Sequence, residues 1–231
     1  MWKCYMMELA KKITNEPNQD DILAFWNNHL EVQKHYLNGK NGRLNHVIEV
    51  LKSIIKPGMS VLDLGCGIGM TSKAMGEMEA KVWAIDISRE LIRSAKVHNA
   101  HNNVLYETAD IMTFDFPGKA DLVVTVDVIE HLDYDLQDIC RQLTKLVKDD
   151  GMIFINTPDY RFAKWAIEYM PESRQIVDKA ISLNILTDRM SIYNFQPVYL
   201  NIYGIDVPCQ YNDVIFQHRD VIEQGYKRLL K

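Results

Sequence analysis

Apolar residues recur at the spacing of an α-helix through the first 59 positions of the chain. One stripe ends at Pro57 and Gly58, which break helices. Its members are Leu44, Val47, Ile48, Leu51, Ile54 and Ile55. An earlier stripe, which Asp20 or Asp21 can cap, runs to the breaker at Gly39. Its members are Ile22, Leu23, Trp26 and Leu30. The pattern therefore predicts two helices in the N-terminal segment.

The pattern changes after residue 59, where short apolar runs begin to alternate with helical stripes. We predict strands at 60–64, 81–85, 104–107, 122–126 and 152–156. We predict helices at 69–78, 88–99 and 133–148, the last with Asp133 at its capping end. Strands that alternate with helices form a parallel sheet with right-handed connections and helices on both faces. The sequence is therefore typical of an open α/β fold.

The alternation loosens after Pro158. Residues 160–195 have a helical or irregular pattern, and two further apolar runs follow at 198–205 and 213–216. A final helical stripe covers 221–230. We expect the two late runs to add strands at an edge of the sheet.

Length and composition limit the number of domains. The chain has 231 residues, of which 47% are hydrophobic and 25% charged, so it has room for one domain with a cap. We assign residues 1–42 to a helical N-terminal cap and residues 43–231 to the main domain. Within that domain, 160–195 is a candidate substrate cap. His35 and Tyr36 are candidate contacts of the N-terminal cap.

Charge and cysteine content exclude several classes of function. The formal net charge is −5, which argues against a dedicated nucleic-acid binder. The cysteines lack CxxC spacing, which argues against a zinc site and against a disulfide framework. They are Cys4, Cys66, Cys140 and Cys209. No run of 18 apolar residues and no secretory leader pattern occurs, so we predict a cytoplasmic protein without a membrane span.

The sharpest local motif is Val-Leu-Asp-Leu-Gly-Cys-Gly-Ile-Gly at 61–69. It follows a predicted strand and opens a helix, where a glycine turn lets a nucleotide-like ligand approach the backbone. The alternative is a tight turn without a ligand. A dinucleotide fingerprint would require glycine at position 70, where Met70 stands, and Asp63 would repel a pyrophosphate. Gly65, Gly67 and Gly69 with this acid instead favour S-adenosylmethionine, whose amino group is cationic.

Two later acids extend this interpretation. Asp86 ends the second predicted strand, where a carboxylate can accept both hydroxyls of a ribose. It could instead cap the next helix, although Ser88 can do so alone. Asp110 follows the third strand and could accept from the amino group of adenine while Ile111 lies against the ring. Asp110 could equally be a solvated loop residue.

These motifs, taken in order, resemble the Rossmann-like (class I) S-adenosylmethionine-dependent methyltransferases. The likeness covers roughly residues 44–160 and includes the segment Asp-Val-Ile-Glu-His-Leu at 127–132. It is strongest to the small-molecule branch typified by the ubiquinone-pathway O-methyltransferases. The resemblance implies a seven-stranded, mostly parallel sheet with an antiparallel last strand. It also implies further cofactor contacts from Cys66, Ile87, Asp127 and Val128.

The same resemblance places His131 in the acceptor site. A histidine titrates near neutrality and can take a proton from a hydroxyl as its oxygen attacks the methyl carbon. Glu130 is a weaker catalytic candidate. Both residues could instead begin the following helix and satisfy its free N–H groups. A metal site made from Glu130, His131 and Asp133 is disfavoured because adjacent residues rarely face one ion.

The function that these residues indicate is transfer of a methyl group from S-adenosylmethionine to a hydroxyl or amine of a small molecule. A non-catalytic, S-adenosylmethionine-binding regulatory protein is the alternative, because a fold does not guarantee activity. A third hypothesis is a nicotinamide-dependent reductase, which the spacing of the glycines disfavours. The acceptor and the oligomeric state stay open.

Overall fold

The fold is taken from a computed structural model that describes residues 17–31, 33, 42–170, 174–205 and 210–229. Seven strands lie in this part of the chain: β1 Ser60–Leu64, β2 Lys81–Asp86, β3 Val104–Thr108, β4 Ala120–Val126, β5 Val147–Pro158, β6 Phe195–Tyr203 and β7 Tyr211–His218. The helices are α1 Gln19–Asn27, α2 Gly42–Ile54, α3 Met70–Glu77, α4 Arg89–His98, α5 Leu136–Leu146, α6 Tyr160–Tyr169, α7 Leu183–Ser191 and α8 Arg219–Leu229. A 3₁₀ turn, Ile129–His131, follows β4.

The strands form one sheet in the order β3-β2-β1-β4-β5-β7-β6. β1 to β5 pair in parallel, whereas β7 is antiparallel to both β5 and β6. This arrangement confirms the predicted seven-stranded sheet with an antiparallel edge. The chain builds the β1-β2-β3 half first and then crosses to β4 on the other side of β1. A crevice opens at such a reversal, outside the carboxyl ends of the strands.

Helices cover both faces of the sheet, as the strand pattern predicts. Val123 and Val124 are neighbours in β4 and both fully buried, yet they belong to separate apolar clusters on opposite faces. Leu143 of α5 packs on the first face, and Leu51 of α2 packs on the second. A strand buried on both sides reads as a continuous apolar run, which is the pattern of β4.

The cap of α1 lies two residues before Asp20 and three before Asp21. Asn18 is the N-cap of α1, and its side chain accepts from the backbone N–H of Asp21 at 3.0 Å. Asp21 returns the interaction by accepting from the Asn18 N–H at 3.1 Å, which makes a capping box. The prediction of Asp20 or Asp21 as the cap was therefore wrong. Asn caps a helix as well as Asp does, and its partner three residues on fixes the start.

Other boundaries also differ from the prediction, among them the start of β5, which lies at Val147 and not at 152. α5 is capped by Asp135 and not by Asp133, because the 3₁₀ turn and its loop use the residues that precede Asp135. β6 and β7 extend beyond the apolar runs that predicted them, since Gln196 pairs with Gln217 across the ladder. Polar residues are tolerated there because one side of this edge is solvated.

The segment around α1 packs against the stretch between α6 and α7. Ile22 and Phe25 of α1 are buried against Ile176 and Val177, which lie between α6 and α7. Residues 160–195 thus form two helices and a connecting segment, part of which packs on the N-terminal segment. Within the described ranges, no helix is long and apolar enough to cross a membrane.

Candidate functional site

A cavity of about 210 Å³ lies at the carboxyl ends of β1, β2 and β4. Ten of the eleven residues predicted to hold a cofactor line it. They are Asp63, Gly65, Cys66, Gly67, Asp86, Ile87, Asp110, Ile111, Asp127 and Val128. The eleventh, Gly69, does not line it but forms the N-cap of α3. Residues that are scattered over 66 positions of the chain therefore share one concave site.

The turn between β1 and α3 requires glycine. Gly67 has φ +54° and Gly69 has φ +80°, a left-handed conformation that side chains disfavour. A Cβ on Gly67 would also lie 2.4 Å from Oε1 of Gln33, and one on Gly69 would lie 2.6 Å from the ring of Tyr106. The turn is thus both conformationally and sterically restricted, and Gly65 and Gly67 line the cavity.

Asp86 holds this turn in place. Its Oδ2 accepts from the N–H of Gly67 at 2.9 Å, and its Oδ1 accepts from the N–H of Ser88 at 2.8 Å. The hydroxyl of Ser88 caps α4 by accepting from the N–H of Leu91, so Asp86 is not needed as the cap. Burial raises the pKa of Asp86 to about 6, although both hydrogen bonds favour the ionised form.

Asp63 is buried more deeply than Asp86. It is 2% exposed and accepts from the Ser72 hydroxyl at 2.6 Å. Burial raises the pKa of Asp63 to about 7, with the charge of Asp86 adding to the effect. Burial and the same two acids also raise the pKa of the Cys66 thiol well above its ordinary value. Cys66 is therefore an apolar wall of the cavity and not a nucleophile.

The loop after β4 begins with a strained acid. Asp127 has φ +57° and forms an ion pair with Arg43 of α2, whose guanidinium lies 5.2 Å from the ring centre of Tyr211. Its second oxygen, Oδ1, is buried and makes no hydrogen bond with the described residues. A buried acceptor without a partner is costly and calls for a ligand or a water. Sequence reasoning did not identify Arg43, which lacks a local motif.

His131 lines the cavity from the 3₁₀ turn. Its Nδ1 lies 2.8 Å from the carbonyl oxygen of Val177 and 3.1 Å from Oδ1 of Asp178. Burial alone would lower the pKa of His131. The hydrogen bond to Asp178 and the charges of Glu130 and Asp127 outweigh burial and raise this pKa to about 9.

Glu130 does not line the cavity. It is 3% exposed, and its Oε2 accepts from the Thr157 hydroxyl at 3.1 Å. Burial raises the pKa of Glu130 although the charge of His131 opposes the shift. Across the described part of the chain, no group of three or more His, Cys, Asp or Glu side chains is arranged to hold a metal ion.

The segment around α1 and the stretch after α6 also line the cavity, with residues that sequence reasoning missed. They are Gln19, His29, Gln33 and Gln175, together with Ile22 and Trp26, which the sequence placed on an apolar helical stripe. The Trp26 ring centre lies 5.6 Å from that of His131. Burial, helped by the nearby His131, lowers the pKa of His29 to about 4, so His29 is neutral. The candidate contacts His35 and Tyr36 lie outside the described residues.

Comparison with known proteins identifies a family. Residues 34–214 match a family model described as a methyltransferase domain. The ubiquinone biosynthesis O-methyltransferase of Xanthomonas campestris pv. campestris is 32% identical over 122 residues, covering 51% of each chain. The protein of the same name from Pseudomonas paraeruginosa is 33% identical over 122 residues, covering 49% of this chain and 52% of that protein. The chain spans about half the length of the curated relatives it matches.

Solved structures share the fold. The magnesium protoporphyrin IX methyltransferase of Synechocystis PCC 6803, with bound SAH, has a TM-score of 0.71 and 15% identity. That match covers 87% of this chain and all of that one. An S-adenosylmethionine-dependent methyltransferase from Mesorhizobium loti has a TM-score of 0.64 and 15% identity, covering 76% of this chain and all of that one. These likenesses concern the fold alone.

The buried acid of β1 gives a testable pH dependence. The pKa of Asp63 rises from 3.8 to about 7 on folding, so its contribution to stability is full below pH 3.8 and declines as the pH rises to about 7. Relative to an Asp63→Asn variant, the wild-type unfolding free energy should fall by up to about 1.4 kcal/mol per pH unit across this range. Urea denaturation without added ligand measures the difference. Asp149→Asn, whose parent side chain is 91% exposed, is the control. A difference that stays constant from pH 4.5 to 7 would contradict the assignment.

Proposed function

The chain belongs to the methyltransferase domain family, and on that premise we propose that it transfers the methyl group of S-adenosylmethionine to a hydroxyl group of a small molecule. The family is S-adenosylmethionine-dependent, which confirms the cofactor predicted from the sequence. One observation carries the proposal: a single cavity contains ten predicted cofactor contacts and the imidazole of His131. The names of the curated relatives favour oxygen over nitrogen as the acceptor.

The residues that line the cavity fit the cofactor. Gly65 and Gly67 bring the turn to the wall of the cavity without side chains. Asp86 keeps free lone pairs for the two ribose hydroxyls, because each of its oxygens accepts one backbone N–H. Asp63 and the unpartnered Oδ1 of Asp127 suit the cationic amino acid end. Asp110 and Ile111 would hold the adenine ring.

The chemistry needs alignment and removal of one proton. S-adenosylmethionine supplies a methyl group bonded to a positively charged sulfur. His131 takes the proton of the acceptor hydroxyl on Nε2 while the oxygen bonds to the methyl carbon and the bond from sulfur to that carbon breaks. The products are a methyl ether, S-adenosylhomocysteine and a protonated imidazole, which releases its proton to solvent. Glu130 makes no contact with the cavity, and the proposal gives it no proton to carry.

In our proposal, α1 and residues 176–177 form a cap that excludes water from this reaction. Ile22, Phe25, Ile176 and Val177 form an apolar cluster over the site, with Trp26 packed against it. Water that reached the sulfonium carbon would compete with the acceptor, so a closed apolar cover favours transfer. This assigns a cap role to the N-terminal segment, 1–42, and to part of 160–195.

Turnover separates the proposal from a non-catalytic regulatory role. The full chain is incubated with S-adenosylmethionine and a panel of phenols, catechols, sugars and amines, and S-adenosylhomocysteine is measured. Turnover with hydroxyl acceptors supports the proposal and places the chain among the enzymes that transfer methyl groups. Tight binding of S-adenosylhomocysteine by calorimetry, without turnover of any acceptor, would instead support the regulatory role.

Replacing Asp86 tests the ribose contact. Asp86→Ala removes two acceptors and should weaken S-adenosylmethionine binding by about 1–3 kcal/mol, since buried donors lose their partner. Calorimetry at pH 7.5 measures the change, and a thermal melt verifies that the variant is folded. Asp149→Ala, near the start of β5 and outside the lining of the cavity, should bind normally. Unchanged affinity in folded Asp86→Ala would remove this residue from the site.

Replacing His131 tests the base. At pH 9, where about half of the wild-type imidazole is neutral, His131→Ala should lower kcat roughly 10²–10⁴-fold with nearly unchanged S-adenosylmethionine affinity. The wild-type kcat should rise with pH toward about 9, the pKa at which the imidazole becomes neutral. The loss in the variant should shrink at high pH, where an acceptor that ionises in solution no longer needs a base. The matched control is His98→Ala, an exposed position at the end of α4.

An unaltered kcat in His131→Ala would leave positioning as the main catalytic device. A raised KM with a modest change in kcat would show that His131 orients the acceptor and does not remove the proton.

A further inference from the structure

The loop that carries His131 is bound to a segment more than forty residues further along the chain. The backbone N–H of Lys179 donates to the carbonyl of Glu130 at 2.9 Å. Its ammonium donates to the carbonyls of Leu132 at 2.6 Å and Tyr134 at 2.7 Å. Lys179 therefore satisfies three carbonyls of this loop and fixes residues 175–179 beside it.

Asp178 lies in that fixed segment and is itself oriented. Its Oδ2 accepts from the backbone N–H of Gln175 at 2.7 Å, which leaves Oδ1 facing Nδ1 of His131 at 3.1 Å. The carbonyl oxygen of Val177 faces the same Nδ1 at 2.8 Å. Two acceptors meet one ring nitrogen, so that nitrogen carries the hydrogen.

The other ring nitrogen is left as an acceptor. Nε2 of His131 makes no hydrogen bond with the described residues, and the nearest carboxylate oxygen paired with it is Oε1 of Glu130 at 3.9 Å. When the imidazole is neutral, its lone pair is therefore on Nε2. A carboxylate that fixes the tautomer of an imidazole is the arrangement that general-base histidines use.

We propose that Asp178 is a positioning residue, which fixes the Nδ1–H tautomer of His131 and so leaves Nε2 to take the proton of the acceptor hydroxyl. This inference rests on the proposed function. Asp178 follows Val177, a member of the apolar cap cluster. The acid that orients the base therefore comes from the cap, and the base is oriented when residues 175–179 are docked.

The groups around the imidazole single out Asp178 by distance. Asp127 and Glu130 face the ring from its own loop, and His29 faces it from the turn after α1. Asp127 is paired with Arg43, and Glu130 bonds to Thr157. Asp178 is the one carboxylate within hydrogen-bond distance of the ring in the described residues. The hydrogen bond between Asp178 and the ring is the largest contribution that opposes burial and raises the pKa of His131 to about 9, ahead of the charges of Glu130 and Asp127.

The test is NMR titration of the ring nitrogens in ¹⁵N-histidine-labelled full-length protein, with the His131 signal assigned by its loss in His131→Gln. In the wild type, the neutral ring should be the Nδ1–H tautomer, with an apparent pKa near 9. In Asp178→Asn, this pKa should fall by about 1–3 pH units. Asp178→Glu should return it toward the wild-type value. Asp188→Asn, an exposed acid-to-amide change in α7, should not alter it.

An Nε2–H tautomer in the wild type would overturn the proposal, and so would an unchanged pKa in Asp178→Asn. If Asp178→Asn does not fold, the tautomer measured in the wild type still tests the proposal, because Nδ1–H supports it and Nε2–H contradicts it. With an acceptor from the turnover panel, the acid limb of the kcat profile should also move to lower pH in Asp178→Asn. A purely structural residue would lower activity without moving this limb. The titration needs no acceptor, so its result is independent of whether methyl transfer is observed.

Discussion

The parallel pairing of β1 with β2 on one side and β4 on the other is the constraint on which the site depends. Leu64, the last residue of β1, is in register with Ile85 of β2 and Thr125 of β4. All three strands therefore end at one edge. The N–H groups of the next two residues both donate to the carbonyl of Ile85, at 2.8 and 2.9 Å, and turn the chain into the glycine loop. Acids that are far apart in sequence meet because this register brings their strand ends together.

These acids are held at a cost to the stability of the unliganded fold. Asp63 and Asp86 are both buried with raised pKa values, which means that their charged forms lack the solvation they have in water. Asp127 is partly compensated by Arg43, yet one of its oxygens has no partner among the described residues. A cationic ligand would relieve this imbalance, and an anionic one would increase it. The electrostatics of the cavity therefore agree with the sulfonium chemistry of the proposed function.

Local signals predicted the strands, both helical layers and six residues of the cavity, because strand periodicity and glycine turns act over short distances. The family resemblance supplied the other four, which are Cys66, Ile87, Asp127 and Val128. Local signals missed Gln33, His29 and Arg43, whose places depend on how the N-terminal segment crosses the strand ends. Asp178 was missed for the same reason, since no spacing links position 178 to 131. Helix starts were misplaced where two polar residues compete for one cap, as Asn18 does with Asp20. The start of α5 was predicted too early, at Asp133, because a 3₁₀ turn and its loop lie between β4 and the helix.

A crystal structure of the full chain with S-adenosylhomocysteine tests the central claim most directly. The account predicts that the ribose hydroxyls bond to Asp86, that the adenine lies beside Asp110 and Ile111, and that the sulfur is on the His131 side of the cavity. The amino acid end should contact the glycine loop near Gly67. A ligand bound outside this cavity, or with its ribose away from Asp86, would contradict the account.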